Sequence, residues 1–91
     1  MFAVYKQPPN IQKTLPDWLR EGSLVSLSGG RGLNASTTYT VQEIGSFTAT
    51  LVGPRGGEVY LTENKNGFGI YANRVSRSSS TDHGIVRVSE A

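Results

Sequence analysis

An all-β domain, a small bent barrel of about five short strands, is what this sequence predicts. Three observations carry that reading. Between Thr38 and Val75 the chain runs TYTVQEIG, FTATLVG and EVYLTENKNGFGIYANRV, β-prone runs split by glycine-rich turns. Within several runs apolar and polar residues alternate, as a strand with one buried face requires. Asn66-Gly67 stands between two of them, the strongest short-range hairpin signal.

The first 14 residues, MFAVYKQPPNIQKT, read as an extended arm. Phe2 to Tyr5 have strand character, and Pro8-Pro9 blocks a helix. A short helical turn is expected near residues 15–21. There Thr14 suits a cap, Pro16 a first turn, Asp17 the positive helix end and Gly22 a stop. Leu15, Trp18 and Leu19 share one face of such a turn, so Trp18 either plugs one end of the barrel or anchors a partner.

Leu24 to Leu27 is the first core strand, followed by the glycine-rich loop SGGRGLNAST from Ser28 to Thr37. Tyr39-Thr40-Val41 alternates, and Ile44 falls out of phase, which predicts a bulge or a strand end before Gly45. Phe47, Ala49 and Leu51 are expected on one face, with Thr48, Thr50 and Val52 on the other. Pro54 to Gly57 makes a turn. A two-residue turn at Asn66-Gly67 places Leu61 opposite Ala72 and Thr62 opposite Tyr71. Val59, Leu61 and Ile70 then face inward, with Tyr60, Thr62 and Tyr71 outward. Arg77 to Asp82 reads as a polar linker, and Gly84 to Ser89 as a short terminal strand added to the barrel. The division expected is therefore an arm (1–14), a barrel with its leading turn (15–77), and a linker with a last strand (78–91).

The stretch from Gly22 to Arg77 resembles SH3-like small barrels, above all those encoded by tailed phages and mobile elements. The resemblance rests on Gly22 to Leu27, Thr38 to Val41, and the closing segment Tyr71-Ala72-Asn73-Arg74-Val75. It implies an accessory binding module, since such proteins mostly have no assigned activity. Residues 1–21 and the terminal strand depart from the pattern, and specificity is expected there.

Enzymatic chemistry finds little to use. With no cysteine, thiolate metal sites and disulfides are excluded. His83 is the only histidine and sits in a polar tail, where solvation is the ordinary reading. Ser28-Gly29-Gly30-Arg31-Gly32 lacks the phosphate-loop pattern and opens no helix, though Arg31 at its tip suits a partner contact. Trimethoprim-insensitive dihydrofolate reductases resemble this chain in size and in Ile70-Tyr71 alone; Gly69 replaces the glutamine of their segment.

The nine Lys and Arg against seven Asp and Glu leave a net charge of +2, and the bases are scattered singly rather than clustered. The expectation is a non-catalytic module without cofactor, binding a host protein or a virion subunit, in the host cytoplasm or the virion. A virion structural or decorating subunit and a nucleic-acid-binding barrel are the alternatives, the latter using Tyr60, Phe68, Tyr71, Arg74 and Arg77. No apolar stretch approaches a membrane span, and homo-oligomers are compatible. The partner-binding residues expected are Tyr60, Tyr71, Arg31, Arg74, Phe2, Tyr5 and Trp18.

Overall fold

Alternation along the strands decides which side chains enter the interior. In the computed structural model, which describes residues 12, 14–63, 69–75 and 80–91, there are six strands. They are β1 Leu24–Ser28, β2 Tyr39–Ile44, β3 Thr48–Val52, β4 Glu58–Glu63, β5 Ile70–Val75 and β6 Ser80–Glu90. Each pairs antiparallel with the next, and β6 returns to β1, so the sheet closes into a barrel with no free edge. The small all-β barrel expected from the sequence is the fold.

Every strand sends alternate residues inward. Val25 and Leu27, Tyr39 and Val41, Ala49 and Leu51, Val59 and Leu61, Ile70 and Ala72, and Val86 and Val88 form one buried cluster. Burying a side chain of the Val or Leu class contributes about 1.5–3 kcal/mol, so this cluster is the main stabilising term. The register of β4 against β5 is the one the Asn66-Gly67 spacing implies: Leu61 faces Ala72 and Thr62 faces Tyr71. Residues 64–68, which include that turn and Phe68, lie outside the described residues. The out-of-phase Ile44 is explained by a register shift between Val41 and Glu43.

Three local expectations come out differently. Phe47 is 61% exposed, because it sits in the Gly45–Thr48 turn, one residue before β3 begins to alternate. The described residues contain no helix. Pro16 to Leu19 is a single turn, in which the Leu19 N–H donates to the Pro16 carbonyl at 3.1 Å. It brings Leu19 into the core, with Leu15 and Trp18 packed against it. That burial secures the turn, so no longer helix is required.

The last strand is also longer than expected. Ser80, Thr81 and Asp82 are paired with Val75, Arg74 and Asn73 of β5 rather than forming a linker. Beyond them β6 crosses to β1, from Ser28↔Arg87 to Val25↔Glu90. This strand supplies the closure of the barrel. Aspartate has poor strand propensity, but pairing along β5 outweighs it.

Candidate functional site

The outer face of β3, β4 and β5 carries the residues the hairpin register turns away from the core. Thr48 pairs with Thr62, and Thr50 with Tyr60. Tyr60 pairs in turn with Asn73, and Thr62 with Tyr71. The result is a continuous patch of hydroxyls and one amide around two half-buried tyrosines. Shallow grooves run across it, one lined by Thr50, Tyr60, Thr62 and Asn73, the next by Thr62, Tyr71, Asn73 and Asp82. The Tyr60 hydroxyl donates to Glu58 Oε1 at 2.8 Å. That hydrogen bond, helped by partial desolvation and by the carboxylate's charge, holds the Tyr60 phenol above its ordinary range.

A second feature lies at one end of the barrel. The Ser28–Thr38 loop, the β3–β4 turn and Arg74 of β5 enclose a groove of about 430 Å³, lined by Gly32, Tyr39, Gly53, Arg55, Gly57 and Arg74 among others, with no carboxylate. Its walls are tied down. Asn34 Oδ1 accepts from the Ser36 N–H at 2.9 Å and from the Ser36 hydroxyl at 2.7 Å. The turn opposite is closed by Gly53 N–H to the Gly57 carbonyl at 2.8 Å.

The clamp on the glycine loop is His83, the one buried polar residue among those described, at 4% exposure. Solvation was the ordinary reading of a lone histidine in a polar tail, and the structure overturns it. On β6, Asp82 pairs with Asn73 and Gly84 with Ala72, so His83 is an extra residue without a partner on β5. This is a bulge, and Gly84 permits it by adopting φ +77°. Asp82 Oδ1 accepts the Gly84 N–H at 2.8 Å and fixes the local shape.

The bulge turns the imidazole under the loop. His83 Nδ1 lies 2.6 Å from the Arg31 carbonyl, which can only accept, so Nδ1 carries the proton. The Arg31 N–H donates back to the His83 carbonyl at 2.9 Å. Gly30 must be glycine for the loop to lie this close. A Cβ there would stand 2.7 Å from Val86 Cγ1 and 2.8 Å from Leu33 Cδ1.

The expected partner residues therefore part company. Tyr60 and Tyr71 share the outer face. Arg74 is exposed on the groove, and Arg31 is exposed on the loop whose backbone His83 holds. Trp18 is half-buried and packs against the core cluster. Phe2, Tyr5, Phe68 and Arg77 lie outside the described residues. Sequence reasoning missed Arg55 and His83, and the only available signal was the glycine after His83. It also missed Gln12, whose side-chain amide donates to the Val88 carbonyl at 2.7 Å and accepts the Val88 N–H at 2.6 Å.

Among the described residues no three of His, Asp and Glu come together as a metal site would require. No family model matches the chain, and neither does any curated protein or solved structure.

Proposed function

We propose that the chain is a non-catalytic binding module. It is an SH3-like barrel of the accessory kind carried by tailed phages and mobile elements. It holds a protein partner, a host factor or a virion subunit, on the outer face of β3, β4 and β5. One observation carries the reading: Tyr60 and Tyr71 are set among Thr48, Thr50, Thr62 and Asn73 on paired strands of a closed barrel. Tyrosines offer large contact area at low conformational cost, and small polar neighbours supply adaptable hydrogen bonds. Closure of the barrel holds the face rigid, so little ordering entropy opposes binding.

The same face disfavours nucleic acid. The tyrosines could stack bases. A phosphate backbone laid along them would meet Glu58, bonded to Tyr60, and Asp82, which lines the groove beside Tyr71. Protein is the better match for a face with that charge.

The test is affinity capture on the full chain, followed by titration of the protein captured. Wild type is compared with a Tyr60→Ala/Tyr71→Ala variant of unchanged melting temperature. The double variant should lose the partner. Retention of the same partner at unchanged affinity would overturn the assignment. A single-stranded oligonucleotide bound at about 50 mM salt, with affinity falling steeply as salt rises, would favour the nucleic-acid reading instead.

A further inference from the structure

The groove at the end of the barrel is separate from the tyrosine face and has its own chemistry. Arg55 and Arg74 both border it, and none of its lining residues is acidic. Arg74 is placed rather than loose: its Cζ and Nη2 lie 3.8 Å from where a Cβ on Gly57 would stand, so the guanidinium lies over the β3–β4 turn that carries Arg55. The opposite wall contains Gly32, next to the Arg31 carbonyl that His83 holds. The Tyr39 ring supports the turn from below, 3.3 Å from where a Cβ on Gly53 would stand.

Two guanidinium groups on one groove, with walls already ordered, make an anion site. A planar fork binds a carboxylate through two parallel hydrogen bonds. We propose that this groove takes the side-chain carboxylates of an acidic segment in the protein partner, with Arg55 and Arg74 as the anchors. The inference rests on the binding-module reading and names the chemistry of its partner. A nucleic acid fits less well. The groove itself offers two guanidinium groups, and a chain of phosphates leaving it along β4 would reach Glu58 and the Tyr60 face. A peptide can place one or two carboxylates in the groove and continue with uncharged residues.

The experiment is an NMR titration of the full chain, with a short peptide alternating Glu and Gly as probe and its Gln–Gly counterpart as control. The Glu peptide should shift the amides of Gly32, Gly53 and Gly57 and the side-chain Nε signals of Arg55 and Arg74. The Gln peptide should leave them in place. Arg55→Gln and Arg74→Gln should each weaken binding about tenfold or more, the scale of a charge-assisted hydrogen bond. Arg74→Lys should recover only part of the loss, because an ammonium cannot form the fork. Both arginines are exposed, so the variants should fold, and unchanged shifts in the core will verify it.

Equal binding of the two peptides, no shift with the Glu peptide, or unaltered affinity in both glutamine variants would overturn the proposal. So would preferential binding of an oligothymidine or of inorganic phosphate at the same groove. The two readings fail separately. A captured partner that needs Tyr60 and Tyr71 but tolerates both arginine variants would leave the binding module standing and remove the acidic segment.

Discussion

Replacing Gln12 should weaken the barrel although no strand contains that residue. Its amide makes both hydrogen bonds to Val88 that a neighbouring strand would make, at 2.7 and 2.6 Å. On one side, among the described residues, β6 pairs with β5 from Val86 back toward Ser80. Val88 lies past that ladder, and the amide of Gln12 takes the place of the next strand residue. A net contribution of about 0.5–1.5 kcal/mol per bond gives about 1–3 kcal/mol for Gln12→Ala. Val88 is 1% exposed, so water replaces these bonds poorly and the upper part of that range is expected. For a domain of this size the melting temperature should fall by roughly 4–8 °C per kcal/mol.

Urea denaturation measures the loss directly, with the slope expected to stay at its wild-type value. Gln12→Met, of similar length but without the amide, should cost nearly as much as Gln12→Ala. Gln12→Glu is the sharper control. An ionised carboxylate still accepts from the Val88 N–H but faces the Val88 carbonyl without a proton to donate. A protonated one restores both bonds. The site favours the neutral acid, so the glutamate's pKa is raised above its unfolded value of about 4.3. The contribution of such a group is complete below the unfolded value and lost as pH rises through the folded one. The stability gap between Gln12→Glu and wild type should therefore narrow in acid. Alanine and methionine variants within about 0.5 kcal/mol of wild type would refute the strand-mimic account.

Two further predictions concern polar groups on either side of the barrel wall. At position 83, Asn puts an amide nitrogen close to where Nδ1 sits and can still donate to the Arg31 carbonyl, whereas Gln reaches past it. His83→Asn should therefore be less damaging than His83→Gln by about 1 kcal/mol in denaturation experiments, and the reverse order would refute the loop clamp. On the outer face, Glu58→Gln should bring the raised Tyr60 phenol back toward its ordinary range, read as tyrosinate absorbance against pH. What the neutral phenol contributes to stability is present below that range and lost as pH rises through the raised value, so this pH-linked contribution should shrink in the variant. An unmoved titration would show that Glu58 is not the cause.

How much of this was legible in the chain varies with the range of the interaction. The β4–β5 register followed from Asn66-Gly67 because a two-residue turn leaves little freedom to the strands beside it. The inner and outer sets on that hairpin came with it, and so did the tyrosine face. Ile44 announced its bulge by breaking phase. Phe47 misled because alternation was extended into the turn before β3, where its carbonyl still accepts the Glu63 N–H but its side chain stays exposed. Ser80 to Asp82 looked like linker because propensity reports the residue and not its partners. Arg55 looked like part of a turn, and only the approach of Arg74 and the glycine loop makes it one wall of a groove.

Local periodicity and turn chemistry thus determined the all-β class, the inward set and the outward tyrosines, since these depend on residues a few positions apart. Closure by β6, the burial of His83 under the glycine loop and the Gln12 bonds to Val88 were decided only by the tertiary structure. Each joins segments far apart in the chain. Gln12 and Val88 are 76 residues apart, His83 and Arg31 are 52 apart, and no local pattern encodes such a meeting. A closed barrel brings its first and last segments together to leave no strand edge unpaired, and these polar contacts form where they meet.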